Sequence, residues 1–259
     1  MTARSGEIPM TLTDSLAIIP SSQRHRWDNE WLTSRQSFPA TGNFDLVGNA
    51  HGVLMVNNDD IVDVASGFDT HDHADTEIIT WVVEGSLHHR DSAGNEGTLT
   101  PGVVQLMTAG TGIRHSERNA SPRSEGKPLR VVQMWVATEY AGAQPGYAEN
   151  DVAELLASGE LVPVVSGLDR HRDTSAIRLP NRYAALHVAR LPRGRQVELP
   201  PAPYGHLYVV KGHAHVGTHA VAEGDAVRFT GAETHSVIAA DDTEILYWEM
   251  HTGFADRSH

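Results

Sequence analysis

Two short runs of this chain carry residues that could hold a metal ion. His71-Asp72-His73 and His115-Ser116-Glu117 each place two donor side chains one residue apart. In an extended strand, residues i and i+2 project from the same face. Each run therefore offers a pair of donors to one side. Two antiparallel strands set side by side would enclose one divalent cation with His71, His73, His115 and Glu117. Neutral imidazole and carboxylate suit iron, manganese, cobalt, nickel, copper or zinc. Four protein ligands on an octahedral ion leave two positions open, which is what chemistry or substrate chelation needs. If the first strand ran on unbroken, Glu77 and Ile79 would continue its donor face. In a chain with 16 histidines an isolated His-x-His is most simply a surface pair. The second pair, at the same strand spacing, is what argues for a site.

Composition narrows the chemistry further. The 259 residues contain no cysteine, which rules out disulfides, thiolate zinc sites and a thiol nucleophile. Lys and Arg number 20 against 33 Asp and Glu, a net charge of −13. Such a surface repels phosphate backbones and anionic membranes, so no direct nucleic-acid or membrane partner is expected. No apolar stretch approaches the roughly 20 residues of a membrane-spanning helix, and the N-terminus lacks the apolar core of a secretory signal. A cytoplasmic location is the default expectation.

The elements that must position these donors read as short strands. Gly (23) and Pro (13) punctuate brief apolar runs. Strands are expected at 53–56, 78–83, 103–107 and 131–136, and again at 184–188, 207–210, 226–229, 236–239 and 244–250. The chain also repeats itself. Trp81-Val82-Val83-Glu84-Gly85 matches Tyr208-Val209-Val210-Lys211-Gly212, Pro101-Gly102 matches Glu223-Gly224, and His115 matches His235. The offset drifts from 127 residues (Trp81 to Tyr208) to 120 (His115 to His235), as small loop deletions would produce. Two copies of one all-β unit follow, with residues 1–140 forming the first, 141–178 a connector and 179–259 the second. The connector holds one expected helix, over 151–157, with Asp151 as its N-cap and Gly159 beyond its end. Closing each sheet into a barrel hides its edges and leaves a mouth for a ligand.

The run HDHADTEIITWVVEG resembles the first cupin motif, and PGVVQLMTAGTGIRHSERN the second, with Asn119 four residues after His115. The details are similar to those of the pirin family. QLMTAGTGIRHSE is its most specific signature, and His89-Arg90-Asp91-Ser92 and Trp31-Leu32-Thr33-Ser34 also match, although Gln36 stands where a His is common. The resemblance is strongest over 67–136 and looser in the second half. It implies an all-β bicupin, two tandem cupin (jelly-roll) barrels packed together. It implies a metal held by His71, His73, His115 and Glu117, iron(II) first among the candidates. Glu77 would sit beside the site without ligating. The activity it implies is that of a quercetin 2,3-dioxygenase, a metal-dependent oxygenase that cleaves a flavonol with O2, releasing carbon monoxide. Glu117 would then double as the base that takes the 3-hydroxyl proton. Animal pirin, an iron-binding nuclear co-regulator, implies a different role, exercised through a protein partner. A cupin isomerase of a small polar substrate is a third reading.

Other features carry less. His206 and His235 fall near the donor positions of the second copy, with His213, His215 and His219 nearby, but no His-x-His precedes them with the right spacing, so the second barrel is expected to be metal-free with surface histidines. His88 and His89 face opposite ways on one strand, and His89 is expected to line the pocket without ligating. His25 and His51 have no partner pattern. Asp59-Asp60 reads as a hairpin turn, and Pro200-Pro201-Ala202-Pro203 as a rigid loop. Ser116 alternates with His115 and lacks a nucleophile elbow. Arg114 and Arg118 also alternate with the donors and should face outward, which favours an apolar pocket.

Overall fold

A computed structural model describes residues 15–39, 45–254 and 256. The chain forms two barrels of the same plan, each a seven-stranded sheet closed by a four-stranded one. In the first barrel the large sheet runs Gly146–Asp151, Val103–Thr108, Thr76–Glu84, Leu129–Ala137, Leu54–Val62, Leu32–Gln36, His25–Asp28. Its small sheet runs Gly67–His73, Ile113–Asn119, Leu87–Asp91, Glu96–Leu99. In the second barrel the large sheet is Ser15–Ile19, Ala226–Thr230, Tyr204–Lys211, Thr243–Met250, Ala184–Leu191, Val162–Ser166, Ile177–Arg178. The small one is Gln196–Leu199, His235–Ala239, His213–Val216, His219–Ala222. Every strand expected from the sequence lies in or overlaps one of these.

Burial follows strand composition. Thr76–Glu84 and Thr243–Met250 are covered on both faces, and their apolar runs are near-continuous. Ile113–Asn119 alternates instead, because one face lines a barrel and the other meets solvent. The two large sheets pack back to back. Trp81, Val132 and Met134 of one meet Tyr208, Leu246 and Trp248 of the other in a shared apolar core. Trp248 Nε1 points at the Met134 sulfur at 3.2 Å, and Trp81 Nε1 donates to Glu244 Oε1 at 2.8 Å across the junction. The repeated glycines perform the same turn twice. Gly85 and Gly212 both have φ near +78°, and a Cβ would lie 2.6 Å from Pro128 O in one case and 2.4 Å from Asp242 O in the other.

Strand pairing crosses the boundaries expected at 140 and 178. Gly146–Asp151 of the connector is the outermost strand of the first barrel, and Val162–Ser166 belongs to the second. Ser15–Ile19, at the start of the chain, pairs with Ala226–Thr230 of the second barrel. Each barrel has its exposed edge at the equivalent strand, and each is capped by a segment from outside its own repeat. The helix is shorter than expected, Ala153–Leu156, with Val152 rather than Asp151 as N-cap. Asp151 still accepts a 2.9 Å bond from Ala153 N.

Asp59-Asp60 is not a turn. Both residues lie within Leu54–Val62, a central strand, and both are buried. Asp59 accepts bonds from Arg130 Nε (3.0 Å) and Nη2 (2.8 Å) and from the Tyr208 hydroxyl, so its charge is neutralised at the junction. Among the described residues, no helix is long and apolar enough to cross a membrane.

Candidate metal centre

Gly67–His73 and Ile113–Asn119 pair antiparallel with His71 opposite His115 and His73 opposite Ile113. A bulge in Gly67–His73 sets three of its steps, His71 to Phe68, against the two from His115 to Glu117, so Glu117 faces Phe68. The three imidazoles converge, with ring centroids 4.4 Å apart for His71 and His115, 4.8 Å for His71 and His73, and 5.0 Å for His73 and His115. Their donor nitrogens all lie within 4.8 Å of one another. Glu117 joins a second group of the same tightness with His115 and His89. The four residues expected from the sequence thus fall into two adjoining groups that share His115, with Glu117 on the His89 side. Arg114 and Arg118 are exposed on the far side of the strand, as alternation requires.

The polar atoms of this space lack partners. His73 Nε2, both ring nitrogens of His115, His89 Nδ1 and Glu117 Oε1 are buried with no hydrogen bond among the described residues. Buried polar atoms are rarely left so. His71 Nδ1 bonds Asp69 O at 2.7 Å, which leaves Nε2 as the free donor. Burial, and after it the neighbouring imidazoles, push His73 down to about 4 and His115 to about 3. Both rings are neutral at pH 7, with lone pairs available. The donor set therefore fits a divalent transition metal.

Other residues orient it. Trp135 Nε1 donates to Gln133 Oε1 (3.0 Å), and Gln133 Nε2 donates to Glu117 Oε2 (2.8 Å). The Trp135 ring also stands edge-on to His73 at 4.8 Å. Ile78, Met107, Ala109 and Ile113 form an apolar group packed with Trp135. Asn58 Oδ1, Asp60 Oδ1 and Thr80 Oγ1 are also buried without partners among the described residues. Burial pushes the Asp60 carboxyl up to about 7. A bond from Ser34 opposes this, and the charges of Asp59 and Glu117 add to it.

Glu77 is placed otherwise than expected. The strand breaks at Ala74-Asp75, where Asp75 has φ +47°, and the new strand resumes in the large sheet. The break shifts the alternation, so Glu77 pairs with Val136 and Thr108 and shares its face with Ile79 and Trp81 in the inter-barrel core. It accepts a 2.6 Å bond from Thr108 Oγ1, and burial raises its carboxyl. His89 comes closer to the donors than its alternation alone showed, 5.4 Å from His115 between ring centroids. Gln133 and Asp60 carry no motif, and the sequence did not point to them.

The second barrel does not rebuild the site. Its pairing puts Leu199 where His71 stands, Val237 where Glu117 stands and Val216 where His89 stands. Only His235 matches, and it stacks on Phe229 at 4.6 Å. His213, His215 and His219 are exposed, but His206 is not a surface residue. It is fully buried at the junction, 5.5 Å from the Phe38 ring.

Comparison with known proteins agrees with this architecture. Residues 20–136 match the Pirin family model, and residues 173–250 match that of the quercetinase C-terminal cupin domain. A Mycobacterium tuberculosis relative, provisionally named a quercetin 2,3-dioxygenase, is 42% identical over 95% of this chain and 99% of its own length. The Escherichia coli protein named quercetin 2,3-dioxygenase is 29% identical over 89% of this chain and 96% of its own. The crystal structure of YhhW from Escherichia coli superposes with a TM-score of 0.83 at 29% identity, covering 92% of this chain and 98% of that one. A second structure of that bacterial pirin, in complex with nickel(II), gives 0.81 at 28% identity, covering 92% of this chain and 100% of the other. On its sequence, its twin barrels and these relatives, the chain belongs to the pirin family of bicupins.

Proposed function

We propose that the first barrel is the active site of a metal-dependent dioxygenase that cleaves a flavonol or a related enol-bearing aromatic. The observation that carries this is the set of unpartnered donors on His73, His115 and Glu117, gathered with His71 beside the apolar group of Ile78, Met107, Ile113 and Trp135. The names of the mycobacterial and Escherichia coli relatives support the oxygenase reading, and the nickel(II) complex of YhhW supports a divalent ion.

His71, His73, His115 and Glu117 would hold the ion, iron(II) first, with manganese, nickel, cobalt, copper and zinc as alternatives. When bound, it supplies the charge that acidifies an enol hydroxyl and an open position for chemistry with O2. The rest falls to the chain itself. Trp135 and Ile113 offer apolar surface to a flat ring and exclude water. Glu117 Oε1, which has no hydrogen-bond partner among the described residues, would accept the 3-hydroxyl proton when that oxygen is not held on the ion. The Gln133 bond on Oε2 keeps that oxygen aimed. His89 stands beside His115 and Glu117, with its Nδ1 buried and without a partner among the described residues.

The test is elemental analysis of the purified protein, then reconstitution with each ion and incubation with quercetin and O2. Loss of the flavonol absorption band with release of carbon monoxide is expected, and Glu117→Ala should abolish both. Bound metal without turnover would instead favour a regulatory role through a protein partner. No bound metal in any preparation would remove the site itself.

A further inference from the structure

The second barrel lacks the donors of the first, yet its mouth is polar. A cavity of about 580 Å3 opens there, bounded by Pro163 of Val162–Ser166 and by Gln196, Val197 and Glu198 of Gln196–Leu199. Arg170, His171 and His187 also line it. Behind them Glu249 is fully buried. Arg170 Nη2 donates to both its oxygens, His187 Nε2 donates to Oε2 at 3.0 Å, and His251 Nε2 lies against Oε1. Burial alone would raise this carboxyl, but bonds from His187, His251 and Arg170 outweigh it and hold Glu249 well below the usual carboxylate range.

This arrangement is not built for a metal. Four hydrogen bonds fill the acceptor sites of Glu249, and Arg170 already supplies its countercharge. Among the described residues, no three of His171, His187, His251 and Glu249 bring donor atoms into one coordination sphere. The groups left over face a ligand of another kind. Arg170 uses Nε on His171 Nε2 (3.1 Å) and Nη2 on Glu249, and its Nη1 has no partner among the described residues. His187, with Nε2–H donated to Glu249, has no partner for Nδ1 among them either. Arg170 and His187 thus each bring one ring or guanidinium nitrogen without a partner to the lining of the cavity.

We propose that this mouth is a second small-molecule site, which takes a neutral aromatic ring bearing hydroxyl groups, such as a catechol. Leu161, Pro163, Val197, Pro200 and Pro201 supply flat apolar walls for the ring. One ring hydroxyl pairs with His187 Nδ1, and a ring oxygen accepts from Arg170 Nη1. Glu160 and Glu198 stand at the rim, and the whole chain carries −13, so a carboxylate or phosphate ligand is disfavoured. The site goes beyond the oxygenase reading and does not depend on it.

The experiment is calorimetric titration of the full-length, chelator-treated protein with catechol, and separately with benzoate. One saturable catechol site per chain is expected, with benzoate at least tenfold weaker. Arg170→Gln should weaken catechol at least tenfold. So should Gln196→Trp, which fills the cavity from an exposed rim position and leaves the core untouched. His115→Ala, in the first barrel, should leave catechol binding unchanged. The proposal is overturned by an absence of saturable binding, by full affinity in Gln196→Trp, by loss of binding in His115→Ala, or by benzoate binding more tightly than catechol.

Discussion

Asp60 and Gln133 show how much of this site lies outside its motifs. Asp60 stands on the strand that faces the barrel interior, and burial raises its carboxyl to about 7. A folded-state pKa above the unfolded value means that the neutral form stabilises the fold fully below about 4, and that this stability is lost as pH rises through about 7. Asp60→Asn removes the ionisation. In the chelator-treated protein it should therefore stabilise the fold more at pH 8 than at pH 5, by on the order of 1–3 kcal/mol. Thermal melts at both pH values check this, and an equal shift at both would show that Asp60 does not carry the proton. Gln133 acts on the reaction through Glu117. Gln133→Leu should keep the metal content and lower turnover by about 10–100-fold, as loss of an orienting bond does. Elemental analysis alongside kcat separates this from loss of the ion. Neither residue was legible beforehand. Asn57-Asn58-Asp59-Asp60 has the composition of a turn, and only the Arg130 and Tyr208 partners of Asp59 and the near-neutral Asp60 make it a buried strand.

At the scale of elements, apolar runs identified the strands, but not their neighbours. Ser15–Ile19 lies next to the first repeat in sequence and pairs with the second in space. Leu16 and Ile18 pack against the interior of the second barrel. Removing residues 1–19 should uncover the edge of Ala226–Thr230 and cost about 2–4 kcal/mol in lost burial and hydrogen bonds. The expected outcome is a lower midpoint in urea and concentration-dependent association, read by light scattering. A truncated chain that melts and sediments like the full one would show the strand to be dispensable. The break at Ala74-Asp75 makes the same point on a smaller scale. Strand alternation sets His71 and His73 on one face because it holds within an unbroken strand, and the condition for extending that face to Glu77 is not met, because a turn intervenes.

The junction of the two barrels governs the molecule as a whole. His51 Nε2 donates to Phe229 O at 2.9 Å and its ring meets Tyr204 edge-on, so a residue of the first repeat is anchored on the second. Burial pushes His51 down to about 4. His206 lies well below its ordinary value through burial, with the charges of Arg228, His51 and Arg24 adding to it. Between the unfolded value of 6.5 and the folded value the unfolded chain binds more protons, so stability falls as pH drops through that window. For His51 the loss between pH 6.5 and 4 should reach about 1–3 kcal/mol. Urea unfolding of the chelator-treated protein at pH 7 and pH 5 measures it, and the difference should shrink in His51→Gln. An undiminished difference in that variant would place the acid sensitivity elsewhere.

The sequence by itself determined the all-β character, the doubling of the unit and the pairs His71 with His73 and His115 with Glu117. These depend on local geometry, since a strand's two-residue alternation and a turn's need for glycine act over a few positions. Tertiary structure alone decided that the two pairs lie on neighbouring strands, that a bulge in Gly67–His73 sets Phe68 opposite Glu117, and that His89 and Gln133 stand beside it. It also decided that Glu77 turns to the junction and that Ser15–Ile19 crosses to the far barrel. Those outcomes depend on which strands hydrogen-bond and which faces are buried between sheets, and neither is encoded in the spacing of neighbouring residues.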